Sequence, residues 1–465
     1  MPCRILLISA NQCSSPDPVF PLGLAYLNAA LRRAGHTCLW LDWLMDSGRL
    51  LQVLREWHPD FVGISVRNID DVLIRKQETF FGELAELTAA IRVEASCPVI
   101  LGGSGFSIFP KQLLELAQAD FGIAGPGEAG FLRLISALKN GTDYSGIPGL
   151  VFREDGKVIV NGAAPAGSAC ALDLCDRPAS IAAYYIQQGS MLNLQTQRGC
   201  SFRCCYCTYP LVEGRRRRRQ QPEFIANDFE RLQRLGARYV FIVDSVFNSS
   251  ARHVTETCEA LLRRKLRLPW GCFLRPQGLT PDLMRLMARA GLTHIEFGSD
   301  SFCDEVLAAY RKDFTFEEVR RASELAWKEK IDFCHFLIAG GPGETEATLE
   351  KGFENSQRIP GAVILAVVGM RIYPGTRLHT QAIAEGRISR KTNLLKPVYY
   401  LAPGLTEEDT FAKIADFARR SPNWLVGDPD PGYQRLVNRL RQRGLAGPLW
   451  SYFAMLQRLQ ARKSP

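Results

Sequence analysis

Met191-Leu-Asn-Leu-Gln-Thr-Gln-Arg-Gly-Cys200-Ser-Phe-Arg-Cys204-Cys-Tyr-Cys207 is the stretch from which the rest of the chain can be placed. Met191 to Gln195 reads as a short apolar strand that leads into a tight loop with cysteines spaced C-x3-C-x2-C. Thiolates at these separations can all turn inward on one small object. Three thiolates on a four-iron cluster leave one iron without a protein ligand, and chemistry can happen there. A zinc site would want a fourth ligand, but the next cysteine is Cys258 and no histidine lies between Cys207 and His253. A disulfide framework would need an oxidising compartment, which nothing in the sequence suggests. Cys205, between two ligands, is expected to be a bystander.

The spacing, with Tyr206 just before the last cysteine, resembles the signature of the radical S-adenosylmethionine (SAM) enzymes. In that family the open iron is chelated by the amino and carboxylate groups of SAM. The resemblance covers roughly Met191 to Thr392 and implies a partial (βα)6 barrel with its site at the carboxyl ends of the strands. Apolar runs agree, at Tyr239–Val243, Trp270–Leu274, Thr293–Phe297, Asp332–Leu337 and Ala362–Met370, with amphipathic helices between them. Their ends carry further matches. Asp244-Ser245 is expected against the SAM amino end, and Glu296 to Ser299 near the ribose. Gly340-Gly-Pro-Gly-Glu-Thr345 is expected to line the adenine side, and the resemblance also implies SAM contacts from Tyr206 and from Arg371, which precedes a Tyr-Pro-Gly-Thr segment. Each could be an ordinary turn, since Pro, Gly and a helix-starting Thr are what turns want. Their order after the cysteines is what gives them weight.

The first 145 residues alternate apolar strands with amphipathic helices, which implies a parallel sheet covered on both faces. Five strands suit the flavodoxin-like doubly wound order, with ligands at the carboxyl ends. Those ends carry Ser65, Arg67, Asn68, Gly102-Gly103-Ser104, Gly125, Gly127 and Glu128. Together they resemble the cobalamin-binding fold, whose pattern is D-x-H-x-x-G, about forty residues, S-x-L and a Gly-Gly pair. Gly23, Ser65 and Gly102-Gly103 fall in that order, with 41 residues between the first two. Phe20 stands at the histidine position and Pro18 at the aspartate position, so no imidazole from this loop can ligate cobalt. Arg67 replaces the leucine, and an insertion is expected around Asp70–Lys76. The alternative for this domain is a degenerate module that docks a partner or substrate.

A hairpin around Asp155-Gly156 and an Ala/Gly/Pro-rich linker, Gly162 to Ser168, are read between the two units. The expected division is 1–145, a hairpin and linker over 146–185, the barrel over 186–392, and a helical cap over 393–465 that covers the open barrel. With 46% hydrophobic and 23% charged residues, the composition is that of a globular protein. The first apolar run is too short for a signal peptide or a membrane span. Fourteen cysteines without a secretion signal point to the cytoplasm. The net charge of +9 comes partly from Arg215 to Arg219, read either as a solvated loop or as an anion-attracting lip beside the cofactor site. Aromatic residues are not interleaved with these arginines, which argues against a nucleic-acid partner.

These resemblances imply an enzyme with a [4Fe-4S] cluster, SAM and cobalamin, supplied with electrons by an external flavodoxin- or ferredoxin-type donor. The implied reaction is methyl transfer to an unreactive carbon or a phosphinate phosphorus of a small natural-product precursor. Two rivals remain at this point. One is a cobalamin-dependent radical SAM enzyme performing a rearrangement, cyclisation or oxidation, and the other is an RNA-associated protein using its cysteines structurally.

Overall fold

Three runs buried along almost their whole length, Arg4–Ser9, Phe61–Ser65 and Val99–Gly102, form the centre of the first sheet. Side chains buried on both faces require helices on both sides, and the intervening amphipathic segments supply them. The computed structural model describes residues 2–14, 17–162, 175–421, 423–426 and 439–452. The strand order is Thr37–Asp42, Arg4–Ser9, Phe61–Ser65, Val99–Gly102 and Phe121–Ile123, all parallel, which is the expected flavodoxin-like order. The hairpin read as part of the linker instead continues this sheet. Leu150–Glu154 pairs antiparallel with Phe121–Ile123, and Lys157–Val160 forms the edge. Residues 163–168 of the expected linker lie outside the described residues.

The second sheet is parallel throughout, in the order Met191–Leu194, Tyr239–Ile242, Trp270–Leu274, Leu292–Asp300, Asp332–Ala339, Val363–Val368 and Trp424–Val426. The first six are the expected barrel strands. The seventh comes from the region expected to be a helical cap. Helix starts are set by local chemistry. Thr315 and Glu318 form a reciprocal capping box, and Thr280, Thr345 and Thr376 cap the helices that follow them.

One apolar cluster runs from Ile5 and Leu24 in the first unit through Tyr185 to Leu192 and Leu194 in the second. Tyr185 donates to Asp42 at 2.9 Å, and the Asn193 amide donates to the Phe20 carbonyl at 2.8 Å. A shared core of this kind fixes one unit against the other. No helix among the described residues is long and apolar enough to cross a membrane.

Residues 439–452 sit at the amino ends of the barrel strands, whereas Tyr399–Tyr400 pairs with Met370–Arg371 and the Ala402 amide donates to the Gly340 carbonyl at 2.8 Å, both at the carboxyl ends. Trp450 packs with Cys334 and Val363 and lies edge-on to His294 at 5.4 Å. Arg441 reaches back to Asp17 through a bidentate pair at 3.1 and 2.5 Å. Residues 427–438 and 453–465 of the expected cap lie outside the described residues.

Candidate functional site

The first barrel strand ends at Leu194, and the chain then folds into the cysteine loop. Gln197–Arg198 pairs antiparallel with Arg218–Arg219 and closes the loop at its base. Gly199 has φ +94°, and a Cβ there would meet the Arg216 carbonyl at 2.3 Å, so only glycine lets the loop turn immediately before Cys200. The arginine run is therefore partly structural. Arg217 donates to Ser201 Oγ at 3.1 Å, and Arg218 donates to the Glu213 carbonyl at 3.0 Å.

Cys204 and Cys207 open onto a cavity of about 370 Å3, and Cys200 is buried close enough to act electrostatically on Cys207. Burial, with the neighbouring Cys204 and Cys200 thiols, pushes Cys207 up to about 12. A thiol this reluctant to ionise becomes a thiolate when a metal bonds to it. Among the described residues no three His, Cys, Asp or Glu side chains converge tightly enough for a single ion. Three cysteine thiols near enough to act on one another are a donor set that fits an iron–sulfur cluster with one iron left open. Cys205 turns the other way, into the core against Met370 Sδ at 4.0 Å, as expected of a bystander.

Two buried cations face these thiols, and nothing in the sequence singles them out. Lys312 is ion-paired with Asp300 and donates to the Gly298 carbonyl at 3.1 Å. Arg275 is pressed over the Phe202 ring at 3.7 Å and lies within electrostatic reach of Cys204 and Cys200. The Tyr206 hydroxyl donates to Asp300 at 2.5 Å, so this expected SAM contact is tied to the same buried network.

Several other expected SAM contacts are engaged elsewhere. Asp244 is fully buried. It accepts from the Thr196 and Gln197 backbone amides at 2.6 and 3.1 Å and from the Thr196 hydroxyl, with His253 Nε2 2.7 Å from that hydroxyl. It pins the strand end that launches the cysteine loop. Ser299 faces the helix side of the sheet, with its hydroxyl 2.8 Å from His335 Nδ1. Glu296 points toward the amino end and accepts from the Trp450 indole at 3.0 Å. Arg371 is buried against Asp70 at 2.9 Å and donates to the Ile372 and Leu394 carbonyls. Ser245 lies beside the loop, 3.5 Å from the Gly199 carbonyl, and the Gly340 amide donates to Glu344 at 2.8 Å.

Burial raises the Glu296 carboxyl to about 7. An acid with a raised folded-state pKa binds more protons than the unfolded chain between its ordinary value and the raised one, so stability falls as pH rises through that window. Glu296→Gln removes this penalty. The variant's advantage over the parent should grow from about pH 4.5 to about pH 7 and then stay level, as read from urea midpoints. An advantage independent of pH would show that another group binds the proton.

Across the seam lie the carboxyl ends of the first sheet. A Cβ at Gly127 would meet nothing, while those at Gly102 and Gly125 would meet only carbonyl oxygens, at 3.8 and 3.7 Å. These positions leave a cradle that larger residues would fill. Gly103, with φ +100°, packs its backbone against Val66, and Ser104 Oγ donates to the Arg67 carbonyl at 2.9 Å. Ser65 flanks Gly103, and Gly23 is exposed with open space beside it. Arg67 is desolvated between the two units. It donates to Asn68 Oδ1 at 2.9 Å and has Tyr209, Cys13 and Tyr185 as its charge-sensitive neighbours. Burial depresses its pKa, and among the described residues no carboxylate offsets the cost.

Two expected contacts here fail. Phe20 is 2% exposed, packed against Trp40 at 5.8 Å and Tyr185 at 5.6 Å, because its apolar ring belongs to the shared core. Glu128 forms a buried pair with Arg198 at 2.6 Å and clasps the two units instead. No described histidine lies at this edge, since His36 and His58 precede the strands that begin at Thr37 and Phe61. The small residues of the cradle and the absence of a lower imidazole fit a corrin held without a histidine ligand.

Residues 194–354 match the radical SAM superfamily, and residues 13–135 match the B12 binding domain. The chain therefore carries a B12 binding domain followed by a radical SAM domain. It is similar to tryptophan 2-C-methyltransferase of Streptomyces laurentii, with 24% identity over 80% of this chain and 73% of that protein. It also resembles the anaerobic magnesium-protoporphyrin IX monomethyl ester cyclase of Rubrivivax gelatinosus, at 25% identity over 76% of this chain and 65% of the cyclase. The radical SAM methyltransferase TsrM of Kitasatospora setae, solved with cobalamin and a [4Fe-4S] cluster, shares the fold over 100% of both chains. Its TM-score is 0.86 and its identity 23%. Ser65 and Gly102-Gly103 fall within the B12 binding match, and Cys200, Cys204 and Cys207 within the radical SAM match.

Proposed function

We propose that this enzyme is a cobalamin-dependent radical SAM methyltransferase acting on an unreactive carbon or a phosphinate phosphorus of a small natural-product precursor. One observation carries the reading: a three-thiol loop and a glycine cradle belong to two units that share one core, and the Val212 carbonyl, five residues past Cys207, lies beside Gly125 of the cradle. When bound, the cluster, SAM and corrin supply an electron relay, a radical or methyl source and a methyl carrier.

The chain's own residues bind, orient and exclude water. Cys200, Cys204 and Cys207 would hold the cluster, with Lys312 and Arg275 offsetting the negative charge of three thiolates. Asp244 and Thr196 fix the loop's base, and Trp450 closes the far end of the barrel. Gly102, Gly125 and Gly127 would receive the corrin, with Arg67 in the seam. Electrons would come from a flavodoxin- or ferredoxin-type donor.

The similarity to a cyclase favours one alternative, a B12-dependent radical reaction without methyl transfer. Turnover with methyl-deuterated SAM separates the two. A methyltransferase puts the labelled methyl into product and accumulates S-adenosylhomocysteine alongside 5′-deoxyadenosine in comparable amounts. Formation of 5′-deoxyadenosine with no S-adenosylhomocysteine and no labelled product overturns the methyltransferase reading.

A further inference from the structure

Arg275 follows strand Trp270–Leu274, and its backbone is locked in place. Its amide donates to Asn248 Oδ1 at 2.9 Å, and Asn248 Nδ2 donates back to the Arg275 and Gln277 carbonyls at 2.8 and 3.0 Å. The guanidinium lies between two rings, 3.7 Å from the centre of Phe202 and 5.1 Å from that of Phe314. Its Nη2 donates to Gln277 Oε1 at 3.2 Å and pairs with Asp313. The side chain is 6% exposed, yet its buried Nε–H has no acceptor among the described residues. Arg177 also buries a free Nε, but the buried carboxylate of Asp228 meets its charge at 2.7 and 2.9 Å. Arg275 has only Asp313, whose side chain is 62% exposed. A rigid, desolvated cation with one N–H unmet is short of an anionic acceptor. Before it stands the cysteine loop. Phe202 sits between Cys200 and Cys204, whose thiols are the foremost charge-sensitive neighbours of the guanidinium, with Cys204 in hydrogen-bonding reach.

We propose that Arg275 donates a hydrogen bond to the Cys204 sulfur when the cluster is bound, and thereby raises the cluster's reduction potential. The assignment rests on the reading that the three cysteines hold a cluster. A neutral thiol is a weak acceptor, whereas a charged donor facing a thiolate makes a strong bond. Reduction adds one electron, taken from an external one-electron donor, and makes the thiolate sulfurs more negative. Arg275 keeps its proton and no bond breaks, so the bond is stronger in the reduced state than in the oxidised one, which favours reduction. Burial between two rings keeps water from screening this effect. Lys312 has less to give, because its ammonium is already paired with Asp300 and donates to the Gly298 carbonyl. Arg275 is thus a positioning residue that acts through Cys204.

The test uses the full-length protein reconstituted with iron and sulfide, without SAM, and dithionite as the electron donor. The midpoint potential is read from the electron paramagnetic resonance signal of the reduced cluster. Arg275→Met should make the cluster at least about tenfold harder to reduce, a midpoint lower by about 59 mV or more, with iron and sulfide content equal to the parent's. Arg275→Lys keeps the charge but loses the planar fork, and should recover only part of the shift. Transfer of the parent to D2O should shift its iron–sulfur stretching bands in resonance Raman spectra, and that isotope shift should shrink in Arg275→Lys. The Raman comparison decides the matter even if Arg275→Met fails to fold. A midpoint within about twofold of the parent's in Arg275→Met, or an isotope shift equal in Arg275→Lys and parent, overturns the proposal. So does an unchanged midpoint with SAM affinity lost, which would make Arg275 a SAM ligand. Absence of iron and sulfide from the parent is a separate failure, that of the cluster reading itself.

Discussion

Cys204→Ala abolishes the iron and sulfide content of the reconstituted protein, its absorption near ~400 nm and its reductive cleavage of SAM. Cys200→Ala and Cys207→Ala do the same, and Cys205→Ala does none of it. The contrast between adjacent residues is what makes the experiment decisive. Cys204 and Cys207 open onto the cavity, whereas Cys205 is 1% exposed and packs on Met370. Three thiolates are the fewest that hold four irons while leaving one free, so losing one ligand removes the cluster and does not merely weaken it. Cys205→Ala costs a small core cavity, a stability loss of about 1–2 kcal/mol, with no effect on metal content. Iron and sulfide assays on the four variants check this. Equal metal loss in Cys205→Ala and Cys204→Ala would show that the ligand set is wrong.

The cysteine loop and most strands were legible because their signals are local. Arg4–Ser9 and Trp270–Leu274 are apolar runs, and Trp270–Leu274 appears with the expected boundaries. The direction in which a polar side chain points at a strand end is not local. Ser299 alternates in step with Phe297, whose ring stacks on His335, and so falls on the helix side. Glu296 lies one turn of the pleat earlier and faces Trp450, a residue 154 positions away. Glu128 reads as a ligand-facing residue at a strand end, and Arg198 carries no signal of its own, until the two units are joined. The strand Trp424–Val426 is three residues long, too short for any periodicity to show. The buried cations Lys312 and Arg275 follow turns of no special composition, and only the fold brings them to the thiols.

The pair between Asp70 and Arg371 gives the sharpest case of a residue whose role the fold reassigns. Arg371 was expected to face SAM. It instead meets a carboxylate 301 positions away, in the insertion that separates Ser65 from Gly102-Gly103. Their side chains are 0% and 4% exposed, and Asp70 also accepts from the Tyr373 hydroxyl at 3.3 Å. Around this pair the insertion packs against the second unit: Arg75 pairs with Glu407 and stacks over the Phe411 ring at 3.6 Å. Removing one partner of a buried ion pair leaves the other charge desolvated and alone, at a cost of about 3–5 kcal/mol. Arg371→Met should therefore lower unfolding stability by that amount, and Asp70→Asn by somewhat less, since the amide keeps the shape and one acceptor. Amide exchange should accelerate first in residues 66–80, where the insertion loses its anchor, before the barrel strands respond. Replacing both partners, Asp70→Leu with Arg371→Met, should recover a large part of the loss, because two apolar side chains leave no charge stranded. Urea unfolding of the three variants reads the coupling directly. If Arg371→Met alone costs under about 0.5 kcal/mol, the pair does not clamp the two units, and Arg371 is free to act at the SAM site after all.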